Sequence, residues 1–269
     1  MKIVTYNING IRSSTSKGLL EWIESEDADV VCIQEVRARE EVARGILDDE
    51  IASEQFSFFE EKKDVVLEKY FKIYNCGNVA GYAGTMVLSK KKPNDVVFGI
   101  DGEEDVEGRC MTLFFDNLAI VNCYVPNGGT RLDFKLEYFK KLTNHLHKLA
   151  RKTRLIFCSD ANIAHTELDL SHPKECASRT GFLPVERNLM TKLLNGNFCD
   201  VVRIVFKDQK AYTWRSYRSL GVGGGYGYKY RFDYVLVDKE TVTKIQDCVI
   251  LDLPFSDHMP VVATLDLNF

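Results

Sequence analysis

The chain has 269 residues, of which 45% are hydrophobic and 28% are charged, and its formal net charge is −4 at pH 7. These proportions are typical of a soluble globular protein with a sizeable core, and no run of about 18 apolar residues offers a membrane span. The acidic balance argues against a general nucleic-acid coat protein.

In the first half of the chain, short strands alternate with short helices. Residues 2–8 are β-branched and alternate, which predicts a strand that stops at an Asn-Ile-Asn-Gly turn. Residues 17–25 predict a short amphipathic helix, residues 29–33 an apolar strand that runs into Gln34 and Glu35, and residues 40–61 an acidic helix. Further strands are predicted over residues 71–74, 85–89, 96–100, 110–115 and 118–125.

The second half begins with a long amphipathic helix predicted over residues 131–152, followed by an apolar strand over 155–159 that leads into Asp160 and Asn162. Pro184 is expected to start another helix. The predicted elements that remain are a loop over residues 213–230 and strands over residues 232–237 and 259–267. Because strands outnumber helices and no linker interrupts the chain, we expect one α/β domain over residues 1–269, with two packed sheets and helices outside them.

Charge is distributed unevenly along the chain. Residues 24–61 carry a local net charge of −10, and residues 201–232 carry a local net charge of +6. A basic segment on an acidic chain suits a local polyanion-binding face, with a solvated loop surface as the alternative.

Eight cysteines are present without any Cys-x-x-Cys pair, and several lie in apolar strands. This pattern predicts buried reduced thiols and a cytoplasmic protein, with the nucleus as the alternative in a eukaryote, and the spacing disfavours a zinc site.

Polar side chains gather where the predicted strands and turns end. They form a set rich in oxygen with a single histidine: Asn7, Asn9, Glu35, Tyr124, Asn127, Asp160, Asn162, Asp233, Asp257 and His258. Oxygen ligands suit Mg²⁺ or Mn²⁺ working with a substrate phosphate. Taken alone, Glu35 is better explained as an ordinary acid at the end of a strand. His258 stands out because Asp233 could orient its imidazole and raise its basicity.

Nine ordered motifs then resemble those of the exonuclease III family of AP endonucleases. They are TYNINGIR at residues 5–12, IQE at 33–35, GYAG at 81–84, EGR at 107–109, NCYVPN at 122–127, SDANIAH at 159–165, GFLPVER at 181–187, RFDY at 231–234 and SDH at 256–258. The resemblance covers nearly the whole chain. It implies a four-layer α/β sandwich of the DNase I-like type, in which two packed mixed β-sheets are flanked by helices.

The same resemblance implies a monomeric enzyme that depends on Mg²⁺, with Mn²⁺ as a substitute. The family incises duplex DNA on the 5′ side of abasic sites, and it often adds 3′-phosphodiesterase or 3′→5′ exonuclease activity at blocked 3′ ends. The alternatives are nicking at uracil or damaged bases, a phosphatase of the same superfamily, and a non-catalytic DNA-binding protein on the same fold.

Roles carry over from the family motif by motif. Glu35 resembles the main metal ligand, with Asn7 and Asp257 near it and Asp160 and Asn162 as further ligand candidates. Asp160 would orient the attacking water or protonate the leaving oxygen, and Asn162 would hold that water or a phosphate oxygen. These assignments place proton transfer and metal binding in one small group of residues.

The remaining roles concern the phosphate and the DNA. His258, oriented by Asp233, would stabilise the charge of the scissile phosphate, and Tyr124 would donate to that phosphate or act as a phenolate. The candidates for DNA contact or for a pocket around an extruded sugar are Arg12, Asn127, Trp214, Tyr217, Tyr230 and Phe232.

Several positions depart from the family pattern. Arg37 stands where lysine is usual, Ala161 replaces a larger apolar residue, and Tyr230 stands where tryptophan is usual. The turn at residues 128–130 is short, and the loop at residues 221–228 is rich in glycine. These departures leave the role of Arg37 open and place any change in substrate preference in the loops.

Overall fold

The computed structural model describes residues 1–48, 67–216 and 227–269. Most of the helix predicted over residues 40–61, the candidate Tyr217, and the first six residues of the glycine-rich loop lie outside the described residues.

The first sheet is assembled from both ends of the chain. Its strands are β1 (Lys2–Asn7), β2 (Val30–Gln34), β3 (Phe71–Asn75), β4 (Thr85–Ser89), β13 (Ile245–Ile250) and β14 (Val261–Leu265). The spatial order is β13-β14-β1-β2-β4-β3. Only β1 and β2 pair in parallel, and the other neighbours in this sheet are antiparallel, so the sheet is mixed.

The second sheet comes from the middle of the chain. Its strands are β5 (Asp95–Phe98), β6 (Cys110–Phe115), β7 (Leu118–Tyr124), β8 (Arg154–Asp160), β9 (Phe198–Asp200) and β12 (Asp233–Asp238). They lie in the order β5-β6-β7-β8-β12-β9, with one parallel pair, β7 and β8. A two-stranded ribbon of β10 (Trp214–Arg215) and β11 (Lys229–Tyr230) stands apart from both sheets.

Helices cover the outer faces of the two sheets. The described helices are α1 (Ile11–Thr15), α2 (Leu19–Glu26), α3 (Glu40–Leu47), α4 (Leu132–Ala150), α5 (Pro173–Cys176), α6 (Pro184–Asn195) and α7 (Val201–Phe206). Apolar residues of α2 and α3 pack with the outer face of the first sheet, and those of α4 and α6 pack with the outer face of the second. The predicted sandwich of two mixed sheets between helices is confirmed.

Strand β8, which ends at Asp160, shows how alternating side chains build these layers. On β8, Leu155 and Phe157 face the helices, whereas Ile156 and Cys158 belong to the core between the two sheets. Asp160 has the same parity as Ile156 and Cys158, so its carboxylate emerges at the end of the layer between the sheets. The strand therefore delivers a buried carboxylate to the edge of the central core.

Seven of these elements were not predicted from the sequence, namely α1, α5, α7, β9, β10, β11 and β13. β9 has three residues and α7 has six, which is too short for a periodic pattern to show. β13 lies at the edge of the first sheet, and Cys248 is the one buried residue of its six. Within the described part of the chain, no helix is long and apolar enough to cross a membrane.

Candidate active site

Three neighbouring strands of the second sheet meet in one row of polar side chains. In the strand register, Asp160 lies opposite Tyr124 on β7 and opposite Asp233 on β12. Because directly opposed residues point to the same face of a sheet, all three side chains face the first sheet at the end of the central layer.

Asn7 and Glu35 approach this row from the first sheet. The Asn7 Nδ2 donates to Glu35 Oε1 at 2.7 Å and to Asp160 Oδ2 at 2.8 Å, which joins the two sheets. Glu35 follows β2 directly and has a positive φ of 55°, so the chain turns there and the carboxylate is directed into the gap. Ligand atoms of Glu35, Asp160 and His258 lie within 4.8 Å of one another.

His258 is held by a carboxylate on one side and faces another. Its Nδ1 lies 2.9 Å from Asp233 Oδ2, and its Nε2 lies 3.9 Å from Asp160 Oδ2. Burial acts to lower the pKa of His258, but the charges of Asp233 and Asp160 outweigh it and raise the pKa to about 10. This raised pKa favours the imidazolium at neutral pH, and its Nε2 can then donate to a phosphate.

Asp160 is fully buried, and its environment disfavours the charged form. Burial is the largest cause, and the charges of Asp233 and Glu35 add to it, while His258 opposes them, so that the pKa of Asp160 rises to about 7. A carboxyl group with this pKa can gain or lose a proton near neutral pH, as acid–base catalysis requires.

Asn162 and Tyr124 complete the wall around Asp160. Asn162 has a positive φ of 51°, its backbone N–H donates to Asp160 Oδ1 at 2.9 Å, and its Nδ2 donates to Val125 O at 3.0 Å. Burial, followed by the charge of Glu35, raises the pKa of Tyr124 well above its usual range. Tyr124 is thus a neutral phenol, which favours the donor over the phenolate of the two predicted roles.

The donor set fits a hard cation. Glu35 and Asp160 offer carboxylate oxygens in a buried gap, which are the ligands that Mg²⁺ prefers. Asn7 presents its NH₂ group to them, while its Oδ1 accepts from the Asn9 backbone N–H at 3.0 Å. The predicted ligand Asp257 lies outside this group.

Asp257 joins the site to its aromatic side. Its two carboxylate oxygens accept from Asn9 Nδ2 at 2.8 Å and from Trp214 Nε1 at 2.9 Å. The second contact fixes the indole of Trp214 beside the carboxylates.

A cavity of about 650 Å³ opens over these residues. Trp214, Tyr230 and Phe232 form its aromatic side, and the rings of Tyr230 and Phe232 are stacked with centroids 4.7 Å apart. Gly181 forms part of the rim, where a Cβ would lie 3.0 Å from the Phe232 ring and the φ of +89° disfavours other residues. The structure thus brings the predicted aromatic candidates beside the carboxylates.

The two remaining candidates for DNA contact, Asn127 and Arg12, lie in different places. Asn127 lines the cavity, and its Oδ1 accepts from the Gly129 backbone N–H at 3.1 Å. Arg12 is exposed on α1, outside the described residues that line the cavity.

Sequence reasoning missed or left open several residues of the wall. Arg37, whose role was open, lines the cavity and contacts Glu35. Arg179, Thr180 and Lys135 also line it. Thr180 could have been found from Glu186 of the GFLPVER motif, which begins directly after Thr180. Glu186 accepts hydrogen bonds from the Thr180 hydroxyl and from the Gly181 backbone N–H.

Several basic residues of the segment at residues 201–232 are engaged in ion pairs where the segment is described. Arg231 is buried and pairs with Asp169 and Asp200, each at 2.7 Å, and Arg203 also pairs with Asp169. We call these four residues the balanced cluster. Because Arg215 pairs with Asp252 as well, at least three of the six basic residues that the structure describes in this segment are engaged in ion pairs, and the charge count overstated the basic face.

Comparison with known proteins gives a consistent picture. A model of the Endonuclease/Exonuclease/phosphatase family matches residues 4–258. The exodeoxyribonuclease of Bacillus subtilis (strain 168) is 34% identical over 274 residues, which cover 99% of this chain and 100% of the relative. The DNA-(apurinic or apyrimidinic site) endonuclease of Dictyostelium discoideum is 35% identical over 277 residues, covering 100% of this chain and 71% of that protein.

Among solved structures, an AP endonuclease from Archaeoglobus fulgidus superimposes with a TM-score of 0.83 at 25% identity, covering 99% of this chain and 100% of that one. The similarity therefore extends over the whole fold.

Proposed function

The chain belongs to the Endonuclease/Exonuclease/phosphatase family and, within it, to the exonuclease III group of AP endonucleases, and from this premise we propose that it is a DNA-repair hydrolase that cleaves the phosphodiester bond 5′ to abasic sites in duplex DNA. It also acts at blocked 3′ ends as a phosphodiesterase or 3′→5′ exonuclease. The observation that carries the proposal is the row of Tyr124, Asp160 and Asp233 beside His258, which opens onto an aromatic cavity.

Mg²⁺ is the proposed cofactor, with Mn²⁺ as a substitute, and Glu35 and Asp160 would hold it. When bound there, the ion would supply Lewis-acid stabilisation of charge on the phosphate. The two carboxylates and the buried gap between them support this choice, because a hard divalent cation compensates their charge.

The protein groups divide the remaining work. Asp160, with its pKa near 7, orients the attacking water and takes its proton. His258 remains charged and donates from Nε2 to a phosphate oxygen, while Asp233 fixes the ring through Nδ1. Tyr124 donates its phenol proton in a hydrogen bond to the same phosphate. Fixed donors of this kind stabilise charge at phosphorus without reorganisation during the reaction.

The aromatic side of the cavity supports an extruded nucleotide as the substrate. Trp214, Tyr230 and Phe232 present apolar ring surface to the space beside the carboxylates. Extrusion costs a few kcal/mol and is cheapest where no base pairs or stacks, which favours an abasic site.

Nicking at uracil or damaged bases is the second candidate function. The half-buried ring of Trp214 at the cavity favours it, because an indole face can stack on a planar base. A superfamily phosphatase is less well supported, because a small phosphate ester would leave this aromatic side of the cavity without a partner.

We also propose that the enzyme acts as a monomer in the cytoplasm. One chain supplies Glu35, Asp160, Asp233 and His258, so the cluster needs no second copy. All eight cysteines are free thiols, which suits a reducing compartment.

A duplex oligonucleotide with one tetrahydrofuran abasic analogue tests the proposal. We expect a single incision on the 5′ side of the analogue with Mg²⁺ and none after addition of EDTA. Matched duplexes that carry an unmodified nucleotide, a uracil or a blocked 3′ end rank the candidate activities. Absence of incision at the analogue with Mg²⁺ would refute the assignment as an AP endonuclease.

A further inference from the structure

Arg37 is bound directly to the carboxylate that the proposed function assigns to the metal. Its Nε donates to Glu35 Oε2 at 2.6 Å, and its Nη2 contacts the same oxygen. We propose that Arg37 is a displaceable counter-ion of Glu35, which competes with the divalent cation for this carboxylate and thereby sets the metal affinity of the site. This inference rests on the proposed metal site, but not on the identity of the DNA substrate.

The contacts of Glu35 explain why Arg37 and a divalent cation would compete for its carboxylate. Its side chain is only 9% exposed, Oε1 accepts from Asn7, and Oε2 is occupied by Arg37. A buried carboxylate needs a compensating partner, and in this arrangement the guanidinium provides the positive charge. A divalent cation that binds the same oxygen is repelled by the guanidinium, so one of the two cations must yield.

The side chain of Arg37 can yield without disturbing the fold. It is 41% exposed, and its backbone is held independently: the Arg37 N–H donates to Ala83 O at 2.8 Å, and the Arg37 carbonyl accepts from the Gly81 N–H at 3.1 Å. Movement of the guanidinium into the cavity would therefore leave the chain in place.

Arg109 is a useful contrast within the same protein. It is 2% exposed, pairs with Glu107, and donates to the Tyr124 carbonyl and the Tyr82 hydroxyl. Such an arginine is a fixed part of the structure. Among the described residues, Arg37 has one carboxylate partner, and one side of its guanidinium is open, which is the condition for exchange.

The identity of the residue matters as well as its charge. A guanidinium holds a carboxylate through two donors of a rigid fork, whereas a lysine ammonium is a strongly hydrated point charge on a flexible stem. Arginine at this position should therefore resist displacement more than the lysine that is usual in the family.

The test is a titration with Mn²⁺ of the full-length protein, in which electron paramagnetic resonance counts the free ion. We expect Arg37→Gln to lower the Kd for Mn²⁺ by about three- to fivefold, the upper part of the range of an exposed ion pair. Arg37→Lys should give a smaller decrease, and Glu35→Gln should abolish binding at this site.

Arg39→Gln is the matched control. Arg39 lies two residues away, is 61% exposed, and has Glu41 at 4.0 Å as its acidic partner, so its loss changes the net charge equally without touching the site. We expect the Kd of this variant to stay within about twofold of the wild type.

The proposal would be overturned by an unchanged or raised Kd in Arg37→Gln, or by an equal decrease in Arg37→Gln and Arg39→Gln. Retained binding in Glu35→Gln would also overturn it, because the ion would then not compete for Glu35. Since none of these readouts uses incision, a failure of the proposed nuclease activity would be recognised separately.

Discussion

Two buried charged clusters of four residues lie in this protein and differ in their balance. The balanced cluster pairs Asp169 and Asp200 with Arg203 and Arg231, so two acids meet two bases. The cluster at the active site, which we call the cleft cluster, contains Glu35, Asp160, Asp233 and His258. Arg37 pairs with Glu35 at its open side, so three acids meet one histidine and one arginine.

The pKa values express this difference. In the balanced cluster, burial acts to raise the pKa of Asp169, but the charges of Arg231 and Arg203 outweigh it and hold the pKa at about 2. In the cleft cluster, no arginine among the described residues pairs with Asp160, and its pKa rises to about 7. A buried network with matched charges stabilises the fold, whereas one with excess carboxylate is suited to proton transfer and cation binding.

The largest expected effect is a loss of activity, without a loss of stability, when a carboxylate of the cleft cluster is removed. Asp160→Asn should lower the rate of incision at an abasic analogue by about 10³-fold or more, because a proton acceptor and a metal ligand are lost together. Binding to the same duplex, measured by fluorescence anisotropy, and the melting temperature should stay close to the wild-type values, because the amide has the shape of the carboxyl group it replaces.

Asp247→Asn makes the same chemical change at an exposed position on β13 and should incise at the wild-type rate. Full activity in Asp160→Asn would refute the role assigned to this residue.

The balanced cluster should show the opposite behaviour. Arg231→Met leaves Asp169 and Asp200 buried without their shared partner, which should lower the free energy of unfolding by about 3–5 kcal/mol. Urea denaturation measures the loss, and the activity of the folded fraction should persist. Arg44→Met breaks an exposed pair with Glu40 and should cost less than about 1 kcal/mol. Equal losses in the two variants would remove the distinction between the buried and exposed pairs.

The smallest effect is a dependence of stability on pH. Since the pKa of Asp169 is lowered in the fold from 3.8 to about 2, its contribution is present above the unfolded pKa and is lost as the pH falls through the folded pKa. We expect the wild type to lose about 2 kcal/mol more than Asp169→Asn between pH 5 and pH 2. Urea midpoints across this range measure it, and parallel curves for the two proteins would contradict the assignment.

The sequence determined much of the fold by local rules. Alternation and apolar runs located most strands, and Pro184 correctly marked the start of α6. Short elements such as β9 were missed because three residues carry no period. The polar ends of the strands identified the carboxylates of the site, because a buried carboxylate is costly unless it has a partner or a metal.

Only the tertiary structure decided how these groups face one another. The strand register places Asp160 between Tyr124 and Asp233, and the approach of the two sheets brings Asn7 and Glu35 across to Asp160. A count of charges along the chain treats Arg231 and Arg37 alike, although the fold uses the two side chains in different ways. Arg231 is buried in an ion pair and Arg37 lies at the open cleft, since burial and partners depend on long-range packing that no local pattern specifies.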